Sequence, residues 1–420
     1  MWDRLRAVCP RGSFFTGTIL NSEGQPCLTA SAYDAAMLDT RKFWSKQQCA
    51  FDRNWIETFS IYQQCKDPWP PAPFPEVEDF KKHLLRTKDS APGPDGLPYA
   101  AWRAFPSLSA VTLLEDLQLI ASDLNDRPCQ VGVWIPKAQL GNTADFFRPL
   151  GMADTFDRLQ DGTVAAQSFH YTRDWFHPSQ TLLNHFREPQ AAVVEIQHLM
   201  DCPCDYLALF LDLAKAFERI NPNWILSILY LVQAPLWVIN VFRRLLHGRY
   251  IQHKIQGYLM PPRLVFSGVD MGRSSSVFLF CLAMDPILVA LNSIPRIRLV
   301  SGYIDDTSLV GEVTPSLDWL SYTMRLIKSW ETAGICMDMH HCWQVSTVRH
   351  LRCPLRMVFP LHDYPDLVDL QSNNGFPSLW EASLSLPHAV GPIAVIRAAL
   401  AVVLPAEEFF SALSWTSMLC

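Results

Sequence analysis

Apolar positions along the chain follow two different spacings. Leu317, Leu320, Met324, Ile327 and Trp330 recur every three or four residues, the period of one helix face, and Gly334 stands where a left-handed cap would end that helix. Shorter apolar runs read as strands instead. One covers residues 207–211, and two more, 298–303 and 308–310, read as the arms of a hairpin around the turn 304–307. A helix over 224–231 follows the first strand. Upstream, 76–87 has helical periodicity, with the proline-rich stretch 68–75 before it and the loop 89–98 after it. The prolines predict a stiff, extended hinge. A turn within 19–26 and a helical stretch from about Ser31 complete the N-terminal part. Strands backed by helices on one face predict an α+β fold, and no internal repeat is visible. The most apolar segments are 277–283, which soon meets Asp285-Pro286, and 393–404, which contains Arg397 and ends at Pro405. Both read as buried core helices and not as membrane spans.

Composition narrows the class. In 420 residues a hydrophobic share of 49% and a charged share of 18% describe a globular chain long enough for two or three domains. The net charge of −6 argues against a generally basic nucleic-acid binder, so any nucleic-acid contact must be local. Two basic groups could supply it: Lys81, Lys82, Arg86 and Lys88, and Arg243, Arg244, Arg249 and Lys254. Each group reads equally well as a solvated helix face. Twelve cysteines in a chain this long do not make a disulfide scaffold, and the N-terminus lacks the apolar core of a signal peptide. The expectation is an intracellular protein, nuclear or cytoplasmic and not secreted. Cys202-Pro203-Cys204 is too tight for a zinc knuckle, and Cys336, His340, His341 and Cys342 have no second pair at finger spacing.

The chemistry concentrates in three carboxylates. Asp212 closes the apolar run Leu207-Ala208-Leu209-Phe210-Leu211, and Asp305 and Asp306 stand together in Gly302-Tyr303-Ile304-Asp305-Asp306-Thr307. An Asp-Asp pair on its own reads as a solvated turn. Both sites here follow strand-like sequence, where a sheet would deliver carboxylates to one edge. Clustered carboxylates repel unless a hard cation neutralises them, and Mg2+ takes oxygen ligands, often one or two carboxylates plus substrate phosphates.

The residues around these carboxylates carry a resemblance. Phe210-Leu211-Asp212-Leu213-Ala214-Lys215-Ala216-Phe217 resembles the first palm motif of reverse transcriptases, and Tyr303-Ile304-Asp305-Asp306 their Tyr-x-Asp-Asp motif. Gly268-Val269-Asp270-Met271-Gly272, followed by Ser276-Val277-Phe278-Leu279-Phe280, is similar to the second palm block. Ala91-Pro92-Gly93-Pro94-Asp95-Gly96 resembles a signature of the non-LTR (LINE-type) retrotransposon enzymes, while Trp134-Ile135-Pro136-Lys137 and Phe147-Arg148-Pro149-Leu150 resemble their finger motifs. The six elements occur in the family's order over about 75–345. The resemblance implies a right-hand polymerase fold with fingers and palm over 76–345. It also implies a partly helical connector over 1–75, with no endonuclease ahead of it. The tail over 346–420 is either a divergent thumb or unrelated sequence from a decayed or shifted frame.

The same resemblance implies roles. Asp212, Asp305 and the backbone carbonyl of Leu213 would hold two Mg2+ ions (Mn2+ being an alternative), with Asp306 tuning charge or binding less directly. Such ions, about 4 Å apart, activate an attacking 3′-oxygen and stabilise the leaving pyrophosphate. The partners implied are an RNA template, a DNA primer and dNTPs, with no membrane and no indication of oligomeric state. Phe217 would exclude the 2′-hydroxyl of ribonucleotides. Gly272 would let the chain pass close to nucleotide and template, with Met271 beside it. Lys137 and Arg148 would neutralise the triphosphate. Pro92, Gly93, Pro94, Asp95 and Gly96 would form a rigid turn near the template, although Pro94-Asp95-Gly96 by itself proves only a bend.

Three departures from the family pattern bear on rate. Met271 stands where the family has Gln, and a thioether cannot donate amide hydrogen bonds. Ser274 replaces a Pro. His341 falls at the position of the Lys thought to protonate pyrophosphate, where a histidine is a weaker general acid near neutral pH. The expectation is an RNA-directed DNA polymerase of reduced activity. The alternative is a decayed relative that keeps the fold and at most binds RNA.

Overall fold

The computed structural model describes residues 19–122, 129–136, 143–182, 189–202, 204–313, 318–338, 342–348 and 355–360. Ten strands lie among the described residues: β1 (Cys129–Pro136), β2 (Phe147–Met152), β3 (Tyr206–Leu211), β4 (Arg249–Ile255), β5 (Tyr258–Leu259), β6 (Arg263–Val265), β7 (Ile297–Tyr303), β8 (Asp306–Glu312), β9 (Trp343–Val348) and β10 (Leu355–Pro360). They form two five-stranded sheets, one in each of two units. Helices and sheets together give the expected α+β class.

The first unit is drawn from residues 1–51, 67–175 and 217–280. Its sheet runs β2-β1-β4-β5, with β6 also on β4; β1 and β4 are parallel and the other pairs antiparallel. Alternation along β4 buries Arg249, Ile251, His253 and Ile255 and turns Tyr250 and Lys254 to solvent, as the two-residue strand period requires. Gly132 of β1 is obligatory, because a Cβ there would lie 2.5 Å from the His253 ring. The helix Val77–Arg86 lies within the predicted span. Glu76 and Asp79 form a capping box at its start, and Phe80 and Leu84 point into the core. The helix Ala30–Asp39, predicted from about Ser31, belongs to this unit too.

The prolines of 68–75 behave differently from a hinge. The segment has no helix or strand, and it is strapped down. The Trp69 N–H donates to the Val232 carbonyl at 2.6 Å. Two indoles donate to its carbonyls, Trp175 to Asp67 at 2.9 Å and Trp237 to Ala72 at 3.2 Å. Proline has no N–H, so the segment cannot join a ladder and its carbonyls are left to side-chain donors.

The second unit is drawn from residues 52–66, 176–216 and 281–420. Its sheet has the order β10-β9-β3-β8-β7, antiparallel throughout, and so continues past residue 345. The predicted hairpin is present with longer arms and a tighter turn. The helix Asp318–Ser329 carries the predicted apolar face, and Gly334, at φ +82°, caps the short turn that follows it. Trp55 and Trp330 anchor the core of this unit. Asp285 is fully buried and accepts hydrogen bonds from the Tyr62 hydroxyl, the His177 N–H and Lys66 Nζ, each at 2.8 Å. The apolar run 277–283 extends into a helix over Ser275–Asn292 that passes through Pro286. By length and composition this helix could cross a membrane, yet 89% of it is buried, the mark of a core helix. The segment 393–404 lies outside the described residues.

Candidate active site

The three carboxylates meet through strand register. In the antiparallel pair β3/β8, Leu211 lies opposite Thr307, and one further step places Asp212 opposite Asp306. In β7/β8, Tyr303 pairs with Asp306, which leaves Ile304 and Asp305 as a two-residue turn. Ile304 has φ +57° and Asp305 is not in the left-handed region, the signature of a type II′ hairpin. A β-branched residue at positive φ is strained, and such strain persists only where the surroundings over-determine it. Here the strain delivers Asp305 at the tip beside Asp306.

The electrostatics report the same proximity. Burial, then the charges of Asp305 and Asp212, push the Asp306 carboxyl up to about 8. All three side chains are half-buried. Among the described residues no group of three or more His, Cys, Asp and Glu converges tightly enough to cage a metal. An acidic cluster with two close carboxylates still suits Mg2+, which completes its shell with water and substrate oxygens. Leu213 makes an isolated antiparallel bridge with Met337. Its hydrogen bonds run from the Ala214 N–H to the Cys336 carbonyl (2.8 Å) and from the Asp338 N–H to the Asp212 carbonyl (2.9 Å). That is the non-hydrogen-bonded type of pair, so the bridge does not consume the Leu213 carbonyl. The donor set fits a hard divalent cation.

Sequence reasoning missed how Asp212 is held. Its N–H donates to Cys342 Sγ at 3.3 Å, and the thiol donates to the Asp212 carbonyl at 3.7 Å. Burial pushes that thiol up to about 12, and Cys342 serves as a backbone partner of Asp212. The Cys342 N–H in turn donates to the Asp338 carbonyl at 3.1 Å. No signal in the sequence pointed to this contact, which joins residues 130 positions apart. His341, the expected general acid, lies outside the described residues, as does Lys137.

In the first unit, backbone hydrogen bonds join three expected nucleotide-binding elements. Phe217 lies in the short helix Ala216–Arg219, its ring stacked on Phe280 at 4.5 Å. The Phe217 carbonyl accepts from the Val269 N–H, and the Ile220 carbonyl from the Gly268 N–H, both at 2.7 Å. The Met271 carbonyl accepts from the Gly151 N–H of β2 at 2.9 Å, the strand that carries exposed Arg148. Gly272 has φ +107°, and a Cβ there would lie 2.8 Å from the Gly151 carbonyl. The glycine is therefore required by a close approach to β2, whatever else passes near it.

Beneath this block lies a charged network that the sequence did not reveal. Asp270 is buried and accepts from Gln130 and Arg249, and Arg249 also donates to the carbonyls of Gly268 (3.1 Å) and Ser267 (3.0 Å). Arg249 is only 2% exposed, which removes it from the candidate phosphate contacts. Of the upstream group, Lys82, Arg86 and Lys88 are exposed, and Lys81 lies 3.9 Å from Glu78.

The loop 91–96 forms the expected bend, with the Gly96 N–H donating to the Gly93 carbonyl at 3.0 Å. Its contacts are intramolecular. The Asp95 carboxylate accepts from the Thr155 N–H, and Asp154 accepts from the Asp95 N–H, both at 2.9 Å. Asp95 thereby caps the helix Thr155–Thr172 from a distant loop. Gly93 donates to Thr155 Oγ1 at 3.0 Å, and a Cβ on it would lie 2.5 Å from the Ala153 carbonyl. Pro92 is half-buried; Pro94, Asp95 and Gly96 form an exposed tip.

A family model described as reverse transcriptase (RNA-dependent DNA polymerase) matches residues 135–331. The match contains Lys137, Arg148, Asp212, Leu213, Phe217, Met271, Gly272, Asp305 and Asp306, and ends before His341. No curated protein matches the chain. Residues 135–331 are thus similar to a reverse transcriptase domain, and the mixed helix and sheet fold is consistent with a polymerase palm.

Proposed function

We propose that this chain is an RNA-directed DNA polymerase of the non-LTR retrotransposon type, adding dNTPs to a primer 3′-hydroxyl on an RNA template. The observation that carries the reading is the junction of β3 with the β7–β8 turn, where burial and then the charges of Asp305 and Asp212 push Asp306 up to about 8. Such a cluster is costly in an empty fold and useful only with cations and phosphates. Asp212, Asp305 and the Leu213 carbonyl would hold Mg2+. When bound, the metal would supply activation of the 3′-oxygen and charge neutralisation at the pyrophosphate.

The chain's own residues do the remaining work. Cys342 and Asp338 fix the backbone on both sides of the Asp212 side chain, so the carboxylate enters from a rigid strand end. Asp306, whose carboxyl is raised by burial and by the charges of Asp305 and Asp212, would tune the charge of the cluster towards a cation. Phe217, held by its stack on Phe280, would exclude ribonucleotides. Arg148 and Lys137 would pair with the triphosphate. Met271 makes a backbone hydrogen bond with Gly151 but offers no amide to the substrate, so the rate is expected to be low.

The second reading, a fold that binds RNA without catalysis, is favoured by Met271 and His341. One preparation separates the two. Primer extension that requires Asp212 and Asp305 supports the polymerase, whereas salt-sensitive RNA binding with no extension in Mg2+ or Mn2+ supports the remnant.

A further inference from the structure

In the first unit, a cavity of about 20 Å³ lies among the helices Pro106–Ser122, Thr155–Thr172 and Leu236–Leu246. Apolar groups, Val164 and Val241 among them, form part of its wall, and Asp157, Asp161, Arg244 and Arg273 bring charge to it. Arg273 is 6% exposed. Its Nε lies 3.3 Å from the Asp270 carboxylate and its Nη2 3.9 Å from Asp157, both within ion-pair range. Yet none of its three nitrogens makes a hydrogen bond of acceptable geometry among the described residues. Asp161 is buried on the same wall. One carboxylate oxygen accepts from the Ser275 N–H at 3.1 Å, while Oδ1 meets no donor among the described residues.

Buried donors and acceptors of this kind are nearly always satisfied. The space is large enough for one water and too small for an organic ligand. An anion would serve Arg273 and Arg244 but face Asp157 and Asp161, and a cation would serve the carboxylates but face the two arginines. Only a molecule that both donates and accepts serves the two sides.

We propose that this cavity is a structural water site, in which one ordered water accepts from the Arg273 guanidinium and donates to Asp161 Oδ1. Asp161 also receives the first N–H of the helix Ser275–Asn292, and Arg273 directly follows Gly272. The water thus ties the turn after Met271-Gly272 to the helix Thr155–Thr172. The site is independent of whether the protein polymerises DNA.

Two measurements test it. A crystal structure that resolves ordered solvent should show one peak within hydrogen-bonding distance of both Arg273 and Asp161. Direct pairing of Arg273 with Asp161 across a collapsed cavity would overturn the proposal, as would a halide peak at Arg273 after bromide soaking. The second measurement is the melting temperature of Val241→Ile, which adds one methylene to the cavity wall. Displacing a bridging water should lower the melting temperature by about 2–4 °C, whereas filling a dry void would leave it unchanged or raise it.

Discussion

Replacing Asp306 with Asn should make the metal-free protein more stable at neutral pH while leaving it unchanged in acid. Burial and the charges of Asp305 and Asp212 raise the Asp306 carboxyl from 3.8 to about 8. A carboxyl raised on folding binds more protons in the folded than in the unfolded chain between those two values. Stability is therefore fully present below pH 4 and is lost as pH rises towards 8. From 3.8 to pH 7 is about three pH units at roughly 1.4 kcal/mol each, a cost of up to about 4 kcal/mol. Asn has nearly the same shape and no charge, so Asp306→Asn removes the pH-dependent loss. Urea unfolding followed by tryptophan fluorescence at pH 4 to 8 reads the difference. The two proteins should coincide near pH 4 and diverge steadily above it, the variant being the more stable. Mg2+ should narrow the gap at pH 7 by stabilising the wild type. Parallel curves across this range would refute the reasoning, because they would mean that the three carboxylates do not share a site.

Further outcomes follow from the packing. Gly272→Ala forces a Cβ to 2.8 Å from the Gly151 carbonyl at φ +107°, and should cost about 1–3 kcal/mol in thermal unfolding. Asp285→Ala leaves Lys66, Tyr62 and the His177 N–H without their shared acceptor, and should cost about 3–5 kcal/mol. Asp95→Ala removes a cap from the helix Thr155–Thr172, at about 1 kcal/mol. If the loop also meets the template, the KM for template in primer extension will rise beyond what that loss explains; an unchanged KM assigns Asp95 to structure alone.

What was legible in the sequence depended on range. The hairpin around Asp305 and Asp306 could be read because both arms and the turn are local, and the helices near 77–86 and 318–329 because their periodicity is. The strand ending at Asp212 could be read, but not its antiparallel pairing with β8 and β9, which joins residues far apart in the chain. The parallel pairing of β1 with β4 was invisible for the same reason. Arg249 looked like a surface cation because its charge is plain and its partner, Asp270, is not. Cys342 was set aside as a metal ligand on its spacing, and its contact with the Asp212 backbone stayed unread because it joins residues 130 positions apart. The prolines of 68–75 announced stiffness, but the indoles that strap them come from distant segments, Trp175 from a turn and Trp237 from the helix Leu236–Leu246. Composition gave no sign of two separate sheets. The motif residues were legible as a set, and the contacts that hold them were not.

The central claim is tested most directly by single-nucleotide incorporation onto a DNA primer annealed to an RNA template, in Mg2+ and in Mn2+, comparing wild type with Asp305→Asn. Slow dNTP addition by the wild type and none by the variant is the expected result, with both proteins folded. Folded wild-type protein that adds no nucleotide in either metal, or a variant that adds as fast as wild type, would contradict it.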